Sequence, residues 1–149
     1  MKFISIIIGK LVLKTLRLLG RNGSALPGLI VEKLQPNFLK HSLSQLSDGV
    51  IVITGTNGKT TTTKTVTSLL RSQGLKVLTN KTGSNFVRGT ITTVVNEISI
   101  LGKLDYDIGV FELDEAHAVK FVKHYKPHGV VALRSEERRV GKECRSRGS

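Results

Sequence analysis

The sequence predicts an α/β domain built on a parallel sheet, incomplete at its end and preceded by an amphipathic helix. Three observations predict it. From residue 48 onward, short β-branched apolar runs alternate with stretches of helical period. A Gly-rich turn closing on Gly58-Lys59-Thr60 lies between the first such run and the first such helix. Three acids, Glu112, Asp114 and Glu115, crowd the end of a later run.

The elements follow in order. Residues 3–19, FISIIIGKLVLKTLRLL, place Lys10, Lys14 and Arg17 at i, i+4 and i+7 on one helical face, with apolar residues covering most of the rest. A membrane-spanning helix needs about 20 mainly apolar residues without such interruptions, and no small-residue cleavage site follows to mark a signal peptide. Two readings stay open. The helix packs its apolar face on the domain with its cations in water, or it lies in a lipid interface with its cations near anionic headgroups. Residues 20–47 carry turn signals at Gly23, Pro27-Gly28 and Pro36-Asn37. With the first helix they are expected to form a helix-and-connector region over 1–47, holding a further turn or two of helix at 29–34.

The core is expected over 48–133. Residues 50–54, Val-Ile-Val-Ile-Thr, suit a strand buried on both faces. The chain then runs into Gly55-Thr56-Asn57-Gly58-Lys59-Thr60-Thr61 and a helix through Val66, Leu69 and Leu70 that stops at Gly74. Further strands are expected at 76–79, 107–113 and 129–133, with helices at 90–101 and 115–125. This alternation implies right-handed crossovers and a parallel sheet, whose ligands sit beyond the strand carboxyl ends.

A strand, a Gly-rich turn and a helix make a phosphate loop, or P-loop, by a definite mechanism. Backbone N–H groups and the positive helix end face an anion. Lys59 meets the terminal phosphates, and the Thr60 hydroxyl suits Mg²⁺. Gly55 and Gly58 permit close backbone approach. The eight-residue pattern would place Gly at 53, where Ile53 stands, so the match rests on residues 55–60. Glu112, at a neighbouring strand end, is the expected second Mg²⁺ ligand. Glu115 and, less well, Asp114 suit the start of the following helix. The histidines at 41, 117, 124 and 128 form no metal pattern.

Composition bounds the rest. With 149 residues, 39% hydrophobic and 23% charged, the chain is globular rather than disordered. Of its net charge of +12, the segment 134–149 supplies a quarter, six Lys/Arg against three Glu, together with the single cysteine, Cys144. That segment has no hydrophobic period. It resembles the translated product of a sequencing-adapter oligonucleotide and is expected to be a non-native tail; the other reading is a natural basic tail that binds nucleic acid. With the tail set apart, no nucleic-acid partner is expected. One cysteine excludes a disulfide framework, and a reduced cytoplasmic setting fits, at the inner face of the membrane on the lipid-interface reading of the first helix.

Thr54-Gly-Thr-Asn-Gly-Lys-Thr-Thr61 resembles the ATP loop of the central domain in the Mur ligase superfamily, its shortened glycine pattern included. Leu26-Pro-Gly-Leu-Ile, Pro36-Asn-Phe-Leu, the threonine run 60–63, Thr82-Gly-Ser-Asn85 and Phe111-Glu-Leu-Asp-Glu-Ala116 are similar to the ligase-like subunits of lipid II isoglutaminyl synthases. The resemblance spans essentially residues 1–133. It implies an ATP-dependent carbon–nitrogen ligase of peptidoglycan synthesis. That enzyme amidates the D-glutamate α-carboxyl of lipid II through an acyl phosphate, using ammonia from a GatD-like glutaminase. It implies catalytic roles for Lys59 and Glu112, and nucleotide contacts from Gly55, Thr56, Asn57, Gly58, Lys59, Thr60, Thr61 and Asn85. Thr60 and Glu112 would hold Mg²⁺.

In that family the chain continues into the rest of the central domain, with a four-cysteine Zn²⁺ ribbon, and a glutaminase-binding domain. Those parts do not occur here, so this chain is expected to be an inactive fragment. The alternatives are another Mur-type amino-acid ligase and a P-loop NTPase of switch or partitioning type. Against the latter, Asn80-Lys-Thr-Gly83 has Gly where a guanine-binding Asn-Lys-x-Asp needs Asp.

Overall fold

A computed structural model describes residues 2–18, 25–80 and 84–133. The tail at 134–149, the Arg17 side chain and the Thr82-Gly83 part of the second loop lie outside the described residues.

The chain order is α1 (Lys2–Leu18), α2 (Leu26–Leu34), α3 (Phe38–Leu43), β1 (Gly49–Gly55), α4 (Lys59–Ser72), β2 (Val77–Thr79), α5 (Val87–Glu97), β3 (Ile108–Glu112), α6 (Glu115–His124) and β4 (Gly129–Leu133). The four strands form one sheet in the order β2-β3-β1-β4, and every pairing is parallel, as the alternation predicted.

Strand residues alternate between two cores, as a two-residue side-chain period requires. Val50, Val52, Leu78 and Phe111 face one cluster with Val94, Val95 and Ile91 of α5 and Phe121 of α6. Ile53, Val77, Ile108 and Val110 face the other, closed by Val66 and Leu70 of α4. Helices therefore cover both faces of β1 and β3, which explains why those strands read as unbroken apolar runs.

Residues 25–47 correct the connector expectation, because they are part of the domain. Val31 of α2 and Phe38, Leu39 and Leu43 of α3 are buried in the same core as β1 and α5. The Pro27-Gly28 pair misleads as a turn signal. Pro27 sits in the first turn of α2, where its missing N–H costs nothing. Gly28 is a helix-packing residue: a Cβ there would lie 2.1 Å from Arg88 O, and its N–H donates to Thr92 Oγ1 at 3.0 Å. Helix α5 also shifts from 90–101 to Val87–Glu97. Phe86 and Ile98 are both extended and bound it, so Ile98 keeps its buried place while leaving the helix.

Strand β4 departs from its neighbours. Its sequence, Gly-Val-Val-Ala-Leu, is that of a buried strand, yet Val130 and Val131 are 53% and 37% exposed. It is an edge strand, paired only with β1 among the described residues.

Below the sheet, Tyr106 donates its hydroxyl to Glu97 Oε2 at 2.6 Å, and this bond, with partial burial, pushes its pKa up to about 12. The folded value exceeds the unfolded one near 10. The contribution to stability is therefore complete below pH 10 and lost as pH rises toward 12. Tyrosinate absorbance should show Tyr106 ionising near pH 12, and Glu97→Gln should lower that midpoint.

Candidate active site

The site is assembled at the carboxyl ends of β1 and β3, which are adjacent and in register at Ile53 and Glu112. Leaving β1, Gly55 takes φ +137, and a Cβ there would lie 2.1 Å from Leu133 O of β4. Only glycine fits that turn. Gly58, at φ +81, is the residue before α4, and no side chain caps that helix. The first-turn N–H groups of α4 and its positive dipole end are thus available to an anion.

Lys59 bends back over the loop. Its ammonium donates to Gly55 O at 2.6 Å and pairs with Asp114 Oδ1 at 3.2 Å. The Lys59 side chain is only 14% exposed, whereas that of Asp114 is 54% exposed. One residue on, the Thr60 hydroxyl donates to Glu112 Oε1 at 3.0 Å. Glu112 is 4% exposed, a carboxylate held at the base of the site. Lysine, hydroxyl and carboxylate are therefore brought together from two chain segments.

The other predicted residues divide. Asn85 lies at the rim, where its carbonyl accepts the Asp114 N–H at 2.9 Å, and its Oδ1 is buried without a partner. Thr56 and Asn57 are exposed on the turn, and Thr61 is exposed on α4. Asp114 keeps its place at the helix start and takes a further partner. It occupies the position before α6 but makes no side-chain cap, and its carboxylate goes to Lys59 instead.

Asn80 is the residue that sequence reasoning missed. Its amide accepts the Glu112 N–H through Oδ1 and donates through Nδ2 to Glu112 O, both at 2.9 Å, and also donates to Ser84 O. It thereby ties the end of β2 to the main chain of the catalytic carboxylate candidate. The available signal was a polar residue directly after a strand whose carboxyl end faces the site. We expect Asn80→Ala to destabilise the fold by about 2 kcal/mol, since two buried main-chain groups lose their partner; urea denaturation measures it.

A groove opens beside this cluster between α4 and the end of β2, lined by Thr60, Thr63, Lys64, Arg71, Asn80 and Glu112. Among the described residues, no group of three or more His, Cys, Asp or Glu side chains could hold a metal ion. Thr60 and Glu112 do fit a divalent cation that takes its remaining ligands from phosphate and water, which is the habit of Mg²⁺.

The model of the Mur ligase middle domain matches residues 53–132, more than half of the chain and all of this site. The chain belongs to the Mur ligase family. Among proteins of known function, this Mur ligase chain is 30% identical over 124 residues to the MurT subunit of lipid II isoglutaminyl synthase (glutamine-hydrolyzing) from Staphylococcus aureus strain COL. That alignment covers 83% of this chain and 27% of the relative. The MurT subunit of Streptococcus pneumoniae strain ATCC BAA-255 / R6 is 37% identical over 109 residues, 73% of this chain and 23% of the relative. The UDP-N-acetylmuramoylalanine–D-glutamate ligase of Protochlamydia amoebophila strain UWE25 is 38% identical over 71 residues, 45% of this chain and 16% of the relative. The Mur ligase chain thus spans 27% or less of the length of the relatives it matches. These likenesses favour a ligase over a switch or partitioning NTPase.

Proposed function

We propose that this segment supplies the ATP–Mg²⁺ site of an amide ligase of peptidoglycan synthesis that amidates the D-glutamate α-carboxyl of lipid II. The observation that carries the reading is the Thr60–Glu112 contact beside Lys59, at the mouth of an uncapped helix. The positive end of α4 holds the phosphates, and Lys59 exchanges Gly55 and Asp114 for phosphate oxygens. Mg²⁺, when bound, neutralises charge on the phosphates. Thr60 and Glu112 are the residues that would hold it. Phosphoryl transfer gains mainly from positioning and charge of this kind.

A substrate carboxylate oxygen attacks the terminal phosphorus, the bond to ADP breaks, and an acyl phosphate forms. Ammonia nitrogen then attacks the acyl carbon, phosphate leaves, and the nitrogen loses a proton to give the amide. The names of the two MurT relatives support ammonia from a glutamine-hydrolysing partner of GatD type. The D-glutamate ligase relative keeps a second reading open, in which the nucleophile is an amino acid.

The test is an acceptor competition on the protein completed to the length of its relatives. Phosphate release from ATP with lipid II should depend on ammonia, and D-glutamate should not replace it. Release driven by the amino acid and indifferent to ammonia would transfer the chain to the second reading.

A further inference from the structure

We propose that the outward face of α1 is a docking surface for an anionic lipid bilayer, with the helix lying flat along it. The proposal is independent of the ligase chemistry.

Helix α1 is apolar on two sides, and only one is used by the fold. On the inner side, Ile6 is 3% exposed in the main core, and Ser5 Oγ donates to Gln35 Oε1 at 2.7 Å. Gly9 lies so close to α2 and α5 that a Cβ would meet Val31 at 2.7 Å and Val95 at 2.9 Å. Lys10 Nζ donates to Asn96 O at 3.1 Å. These contacts seat the helix on the domain, so its outer side is presented as a fixed surface.

On that outer side Ile4, Ile7, Leu11 and Leu18 are 59%, 50%, 62% and 80% exposed. Their spacing of three, four and seven residues puts them in one line along the helix, about 21 Å long at the helical rise. Lys14, also exposed, occupies the same line between Leu11 and Leu18. Singly scattered apolar residues need no explanation, but a continuous stripe marks a contact surface.

Charge selects the occupant. Helix α1 contains no acid, and among the described side chains Lys14 stands in the stripe itself. A second copy docked through the same helix would offer Lys14 no acid of α1 to pair with. An anionic bilayer accepts both features, taking the stripe into the headgroup boundary and the Lys14 ammonium at the headgroups. Lys14 can bury its stem beside Leu11 and still reach a phosphate. No described helix is long and apolar enough to cross the membrane, so the contact is peripheral.

The test is co-sedimentation of the full chain with vesicles of phosphatidylglycerol mixed into phosphatidylcholine, and of phosphatidylcholine alone. The chain should pellet with the anionic vesicles and not the zwitterionic ones, and added salt should weaken it. The pair Ile7→Asp and Leu11→Asp should lower partitioning at least tenfold, with the circular dichroism spectrum unchanged. Should that pair fail to fold, Leu18→Asp at the most exposed position gives the same readout. Equal pelleting of parent and variant would overturn the proposal, since it would assign binding to other basic segments. So would absence of pelleting, or stripe-dependent dimers in sedimentation velocity, which would give the face to a second copy.

Discussion

Lys59→Ala, made in the protein completed to the length of its relatives, is expected on the proposed function to lower turnover by about 10²–10³-fold, the loss typical when a preorganised charge-stabilising donor is removed. The half-buried lysine is poised between the loop carbonyl of Gly55 and the exposed Asp114. Its stem is fixed by the fold while its charge is delivered to the loop. Removing it also leaves Asp114 at the mouth of the site with no counter-charge, which opposes an incoming polyphosphate. Lys59→Arg should not restore activity, because a planar fork replaces a compact point charge. Stability should change far less than turnover, by about 1 kcal/mol for the lost hydrogen bond. Steady-state kinetics beside urea denaturation separates the two, and a turnover loss no larger than the loss of folded protein would remove Lys59 from the chemistry.

Gly55→Val should be the most damaging substitution for the fold near the site, at about 4 kcal/mol. The left-handed backbone there contributes about 1–3 kcal/mol of strain to any other residue. The collision of a new Cβ with Leu133 O adds a comparable amount through overpacking. Gly58→Ala provides the contrast. Its φ is also positive, but a Cβ there meets only Leu133 Cδ1 at 3.7 Å. It should therefore cost about 1–2 kcal/mol of backbone strain alone. Denaturation midpoints of the two variants test the pair, and equal losses would contradict the assignment of a steric role to Gly55.

Much of this was legible before any coordinates. The apolar runs at β1 and β3 announce strands because both of their faces are covered, and the helical period of α6 survives in buried Ala118 and Phe121, whereas on α4 Val66 and Leu70 are half-buried and Leu69 is exposed. The nearness of Lys59 and Thr60 was legible from the turn between β1 and α4, and that of Glu112 from its place at the end of an expected neighbouring strand. What escaped depends on contacts between distant segments. Pro27-Gly28 reads as a turn until α5 is seen packing against Gly28. Asp114 reads as a helix start, and its ion pair with Lys59 is seen only in the fold. Asn80 has no motif, since its task is to satisfy a main chain 32 residues away. The inner and outer faces of α1 look alike in sequence, and only the packing of Ile6 and Gly9 tells them apart.

The central claim is that the loop from Thr54 to Thr61 and Glu112 form one ATP–Mg²⁺ site. Calorimetric titration with ATP, with and without Mg²⁺, on the full-length ligase and its Glu112→Gln variant tests it most directly. The amide keeps the shape and an acceptor for Thr60 but removes the charge that the cation needs. Mg²⁺ should tighten ATP binding to the parent by tenfold or more and leave the variant nearly unaffected. The same Mg²⁺ enhancement in both proteins would contradict the account.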